Sequence, residues 1–193
     1  MAHFVVDSKA VAHNIDFVKR AAEVPIIAVV KGNGYGLGLT WLASLLQSSG
    51  ITRFAITELT DIPALREAVG STAEILLLRS TALPEEVAAI VASGCTATIG
   101  SSQAAKILDD TAARLGIVAR AYVKIDIGLG RYGFFPSQIE EILACYKLQH
   151  VQIDGIYGHF SHASQQNNNA THIELNRFNG CVDQISHAKV NVG

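Results

Sequence analysis

Short β-branched runs alternate with stretches whose apolar residues recur at helical spacing, and the alternation persists almost to the end of the chain. That pattern predicts parallel strands joined by covering helices. The runs lie at 26–30, 54–56, 75–78, 95–99, 119–125 and 153–157, with a seventh at 189–192. Between them, Leu39, Leu42 and Leu46 share one helical face, as do Ala105, Leu108, Ala112 and Leu115. Ahead of the first strand, Val11, Ile15 and Val18 mark a leading helix that Asp7 or Ser8 caps. Ser101 or Ser102 is a further N-cap, Pro84 and Pro136 suit first helical turns, and Gly94 and Gly116 stand where C-terminal caps belong.

Such a series builds either an open doubly wound sheet or a closed (β/α)8 barrel, and periodicity does not separate the two. The turn after the first strand lacks the G-x-G-x-x-G of an open dinucleotide fold, and no G-x-x-x-x-G-K-[ST] occurs. Polar or ionisable residues instead stand at several strand ends: Lys31 after the first, Lys124 and Asp126 in the fifth, His159 after the sixth. Barrel enzymes draw their sites from the C-terminal ends of many strands, so this distribution favours an α/β fold of the TIM-like (β/α)8 kind. A complete barrel takes roughly 250 residues, so residues 1–193 are read as one incomplete barrel domain of six to seven βα units.

The bulk properties narrow the partners. The chain is 49% apolar, enough for one good core, and its net charge of −2 comes from interspersed signs, which gives no basic stripe for nucleic acid or an anionic membrane. The longest apolar stretches fall well short of the roughly 20 residues of a membrane helix, and no signal-type core follows Met1. A cytoplasmic protein with a small-molecule ligand is expected. Cys95, Cys145 and Cys181 are odd in number, widely spaced and set among apolar or small residues, as buried reduced thiols are.

Five apolar residues run straight into Lys31, and the next seven include four glycines and Tyr35. Glycines let backbone approach a ligand closely, while the preceding strand holds the root of the lysine. One reading is a lysine that snorkels beside a flexible turn. The other is a Schiff-base lysine, for which a partly dry, electropositive strand end supplies the required neighbourhood. Tyr35 either places its hydroxyl on a phosphate oxygen or packs as an ordinary aromatic.

A second cluster, KIDIGLGRYG at 124–133, puts two cations and a carboxylate around a glycine-rich strand end. Arg131 offers a planar fork suited to the carboxylate of an amino acid, or else forms a salt bridge, with Asp126 as a candidate partner. Lys124 and Asp126 alternate onto the same side and are placed to pair. A third segment, GIYGHFSHA at 155–163, carries two histidines. On an extended strand their spacing of three sends the rings to opposite faces, and no Cys, Asp or Glu sits close enough in sequence to complete a site, so no metal site is expected.

These segments carry a resemblance. AVVKGNGYGLG at 28–38 is similar to the lysine motif of the alanine racemases, and KIDIGLGRYG resembles their K-x-D-x-G-x-G-R-x-G signature. Asp7 and Asn14 in FVVDSKAVAHNI look like the leading strand and helix of that family. The resemblance implies pyridoxal 5'-phosphate (PLP) as cofactor, bound covalently by Lys31, with Tyr35 on its phosphate, His159 against its ring, and Arg131 touching both the ring and the substrate carboxylate. Lys124 matches a lysine that is often carbamylated and orients the arginine. His162 is read as a loop residue. Near the end the match slips: Asn191 is the counterpart of the asparagine in a family Asn-Ser pair, and no serine follows it.

The implied activity is interconversion of L- and D-alanine or a similar small amino acid. Lys31 would serve as one base, and a tyrosine from a second, β-rich domain would serve as the other across a homodimer interface. That domain is not among these residues, so the chain by itself is expected to be inactive. The alternatives are a PLP-dependent decarboxylase on the same barrel, against which the 124–133 signature speaks, a non-catalytic PLP carrier, and an unliganded α/β domain.

Overall fold

Three parallel strands and their helices make the first of two units, Met1–Leu78. The computed structural model describes residues 5–165 and 169–190, the side chains of 189 and 190 excepted. Helix α1 (Ser8–Ala22) starts where Asp7, in extended conformation, accepts hydrogen bonds from the N–H groups of Lys9 and Ala10. It ends where Glu23 takes a left-handed conformation, and Lys19 Nζ reaches Ser49 O at 2.8 Å. β1 (Ile27–Val29), β2 (Arg53–Ile56) and β3 (Glu74–Ser80) pair in parallel, with Ile27 opposite Arg53 and Phe54 opposite Ile75. Val30 N continues the ladder by donating to Ala55 O at 2.9 Å. Helices α3 (Leu39–Ser48) and α4 (Ile62–Val69) cover the strands. Phe54, Ile56, Leu65 and Leu77 are fully buried, and each contributes about 1.5–3 kcal/mol of apolar transfer energy.

The second unit, Arg79–Gly193, repeats the scheme. β4 (Thr96–Ile99), β5 (Ala119–Lys124) and β6 (Val151–Tyr157) pair in parallel, with α5 (Pro84–Ala92), α6 (Ser102–Leu115) and α7 (Ile139–Cys145) between them and α8 (Asn169–Val190) last. β4 is buried along its whole length, as a strand covered on both faces must be. A bulge lies between Ala121 and Tyr122, where the Tyr122 ring rests against Gly155. A Cβ there would meet the ring at 2.9 Å. In each unit the strands neighbour one another in chain order, without the reversal that marks the switch point of an open doubly wound sheet.

The six strand runs are found, with ends shifted by one or two residues. Ser101 caps α6 by accepting from Ala104 N, Pro84 opens α5, and Gly116 closes α6 in the left-handed region. Three expectations are corrected. Leu115 lies at the exposed end of α6, 49% accessible, instead of on the buried face. Pro136 does not begin a helix: Gln138 N closes a turn onto Phe135 O at 2.9 Å, and α7 starts only at Ile139. The seventh strand is not formed at its start. Residues 189 and 190 continue α8, whose buried Cys181 and Ile185 stand one turn apart, and 191–192 lie outside the described residues. No helix among the described residues is long and apolar enough to cross a membrane.

Candidate active site

Lys31 follows immediately on Val30, which has no accessible surface. The backbone then makes a turn of unusual hand. In α2 (Lys31–Tyr35) Gly32, Asn33 and Gly34 have φ near +60° and ψ of 40–47°, and Tyr35 has φ +56°. This is a left-handed helical turn, closed by Gly34 N on Val30 O at 3.0 Å and Gly36 N on Gly32 O at 3.1 Å. Glycine at 32 and 34 adopts that conformation at little cost, whereas Asn33 and Tyr35 each pay about 1–2 kcal/mol. Asn33 offsets part of this, because its Oδ1 accepts from Leu39 N at 2.9 Å and so caps α3. The turn leaves Lys31 half-buried and Tyr35 62% accessible, so the ring is not packed as an ordinary core aromatic.

In the second unit, β5 delivers Lys124 to a buried position, 1% accessible. Its Nζ donates to Ile125 O at 2.8 Å and lies 5.7 Å from the ring centres of both Tyr132 and Tyr157. Burial lowers the pKa of the amine. The charge of Asp126 opposes that shift and the charge of Arg131 adds to it.

The expected pairing of Lys124 with Asp126 is not an ion pair. The Asp126 carboxylate instead accepts from Gly128 N at 3.1 Å and Gly130 N at 3.0 Å, which fixes the loop. Burial opposes its ionisation, but those N–H groups, Lys124 and the Arg131 backbone N–H outweigh it and hold the acid below its usual range. Gly133 completes the strand end. Asp126 N donates to Phe134 O at 2.8 Å and Phe134 N to Lys124 O at 2.9 Å on either side of it.

Arg131 is exposed and stacks over Tyr132, its Cζ 5.3 Å from the ring centre. Among the described residues it has no carboxylate partner at ion-pair distance, so the salt-bridge reading is not realised. Tyr157 OH lies 3.1 Å from Thr98 Oγ1 and also bonds Tyr132, while burial drives its pKa upward. The structure thus gathers Lys124, Tyr132, Tyr157 and Arg131 at the ends of β5 and β6. Tyr132, Tyr157 and Thr98 were not singled out by sequence, although buried Thr96 and Thr98 in an otherwise apolar strand are the kind of signal that marks such a cluster.

His159 and His162 lie beyond the end of β6 in a loop, both exposed. Ser161 Oγ contacts His162 Nδ1 at 2.6 Å. Ser161 also donates twice to Glu174 of α8, from its N at 3.0 Å and from its hydroxyl, and Arg177 Nη1 donates to Ile127 O at 3.1 Å. Asn191 lies outside the described residues. An open cleft of about 460 Å³ borders Asp126, Gly130, Phe135 and Arg177, but none of the sequence-predicted cofactor contacts lines it, so it is not taken as the site.

The alanine racemase N-terminal domain model matches residues 6–192. An alanine racemase from Carboxydothermus hydrogenoformans is 34% identical over 97% of this chain and 50% of its own length. An alanine racemase from Clostridium difficile, solved in complex with cycloserine, superposes with a TM-score of 0.87 at 27% identity, over 96% of this chain and 51% of that one. A histidine racemase from Leuconostoc mesenteroides shares the fold, with a TM-score of 0.80 at 24% identity over 89% of this chain and 46% of that one. The chain spans about half the length of the curated relatives it matches. Its fold class is therefore the α/β barrel of the racemase type, in part, and the chain belongs to the alanine racemase N-terminal domain family.

Proposed function

We propose that this chain is the cofactor-binding part of a PLP-dependent amino-acid racemase acting on alanine or another small amino acid. The observation that carries the reading is the left-handed turn, which sets an amine and a phenol on one five-residue segment directly after the buried Val30 at the end of β1. Those groups fit PLP: Lys31 would hold it covalently through Nζ, and the accessible Tyr35 hydroxyl would donate to its phosphate. When bound, PLP supplies the electron sink that makes the α-proton of an amino acid removable.

The other residues have roles of their own. Arg131, a planar cation without a carboxylate partner among the described residues, is suited to bind the substrate carboxylate in bidentate fashion. Tyr132 supports its guanidinium from below. Lys124 backs Tyr132 and Tyr157, and its lowered pKa favours the neutral amine that carbamylation requires. A carbamate there would replace repulsion of Arg131 by attraction. His159 is assigned to the cofactor ring and Asn191 to the phosphate side. Lys31, released from the cofactor, would take or return a proton at its Nζ on one face of the substrate. The opposite base is expected from outside this chain, in a homodimer of the longer protein. The histidine racemase of the same fold argues that the barrel alone does not fix the amino acid.

The test is to add PLP, reduce with borohydride and locate the modified peptide by mass spectrometry in the native chain and in Lys31→Ala. Reduced PLP on Lys31, absent from the variant, is the expected result. A blank native chain with a blank longer parent would overturn the reading.

A further inference from the structure

Helix α8 touches both loops that carry the assigned contacts, and it does so through one face. Glu174, Arg177 and Phe178 fall at spacings of three and four, so they lie together on the helix surface. Glu174 is 4% accessible, a costly place for a carboxylate without partners. It finds them in the loop after β6, where it accepts from both the backbone N–H and the hydroxyl of Ser161. It also abuts the loop after β5. A Cβ on Gly128 would sit 2.9 Å from Glu174 Oε1 and 3.4 Å from Arg177 Nη1.

Arg177 grips that second loop through Ile127 O. Phe178 and Ile127 close on Gly158 from two sides, at 3.3 and 2.8 Å from where its Cβ would be. The clamped points lie within four residues of Arg131 on one loop and within two of His159 on the other.

We propose that Glu174 and Arg177 are positioning residues: they lock the β5 and β6 loops to α8 and so hold Arg131 and His159 in place for PLP and substrate. This rests on the reading of those two residues given above. Neither clamp residue touches the reacting groups; each acts through the backbone it holds. A glutamine at 174 keeps the arrangement, since its amide oxygen accepts from Ser161 N while its N–H₂ donates to Ser161 Oγ, which remains free to donate to His162 Nδ1. An alanine leaves Ser161 N without its acceptor and the Ser161 hydroxyl with His162 Nδ1 as its remaining contact among the described residues.

The experiment combines hydrogen exchange of the chain alone with titration by PLP. In Glu174→Ala, amides at 125–131 and 158–163 are expected to exchange about tenfold faster while β5 and β6 keep native protection, and PLP affinity falls about tenfold. Glu174→Gln is expected to stay within about threefold of native on both readouts. Native exchange in the loops of Glu174→Ala overturns the proposal, as does loosening of the loops with unchanged PLP affinity. Should Glu174→Ala not fold, Ser161→Ala and Arg177→Met divide the question. The first is expected to loosen only 158–163 and the second only 125–131, each with weaker PLP binding, and loosening in neither refutes the clamp. A native chain that traps no PLP on Lys31, together with a blank longer parent, defeats the functional reading and this proposal with it. Trapping with an unaltered Glu174→Ala defeats this proposal alone.

Discussion

Replacing Gly133 by alanine tests whether the strand-end geometry is set by backbone contact. Its φ of +123° is a conformation that L side chains rarely adopt, at a cost of about 1–3 kcal/mol. The new methyl would also stand 2.9 Å from Asp126 N, 2.9 Å from Lys124 O and 3.0 Å from Lys124 Cγ. Two of those three atoms are backbone, so relief requires moving the chain, and forced overpacking of this kind adds about 1–3 kcal/mol. The atoms that must yield belong to the bonds Asp126 N to Phe134 O and Phe134 N to Lys124 O. The two costs together give an expected loss of about 2–6 kcal/mol, or a fall in melting temperature of roughly 4–24 °C for a chain of this size. Gly116→Ala is the control. Its φ is +67° but nothing lies within 4 Å of the added carbon, so only about 1–2 kcal/mol is expected. Thermal and urea denaturation of the two variants decide the matter. Equal losses, or a loss under about 1 kcal/mol at Gly133, would refute the reasoning.

Lys124→Met removes a buried cation whose folded pKa is lowered, so the unfolded chain binds the proton more tightly. The native group therefore costs stability at neutral pH, and the cost is relieved as pH climbs from its folded pKa towards the ordinary lysine range; the variant should lose that alkaline rise in melting temperature and be no less stable at pH 7. Glu86 behaves oppositely. Hydrogen bonds from Arg79 and Thr81 pull its pKa to about 2 from an ordinary value near 4.5, so its contribution is present above that value and vanishes as pH falls between the two, a dependence that Glu86→Gln should flatten in acid denaturation curves. Burial pushes the Cys145 thiol up to about 11, so in the folded chain at pH 8 alkylation there should run about a hundredfold slower than after denaturation, and equal rates would contradict the burial.

Much of the fold was legible because a β-branched run between helical stretches has few other uses. The run at 75–78 became β3 with its buried Ile75, Leu76 and Leu77. The caps were legible to within one residue, and of the pairs Asp7 or Ser8 and Ser101 or Ser102 the first of each accepts the helix N–H groups. The sequence also singles out Lys31, Tyr35, Lys124 and Arg131; Lys124 ends β5, Lys31 follows β1 by two residues, and Tyr35 and Arg131 lie further along the loops that follow those strands. What it did not reveal depends on distance along the chain. Thr98 meets Tyr157 across 59 positions and Arg177 meets Ile127 across 50, so no local spacing in the sequence pairs them. The Asp126 carboxylate was misjudged for a different reason. Charge alternation suggested a cation as its partner, but nearer N–H groups of its own loop satisfied it first.

The reversed screw of residues 32–35 changes how the motif should be read. Glycine there leaves room for a ligand, yet the empty space around Gly32 is matched by a backbone hand that any L side chain resists. The spelling of the segment is then a requirement of chirality as much as of contact. A D-alanine introduced at position 32 by chemical synthesis would meet the backbone in its preferred sense and stiffen the turn, where the L form would strain it. A working substitute for this motif need not preserve its letters, only residues that tolerate the mirror-image half of conformational space.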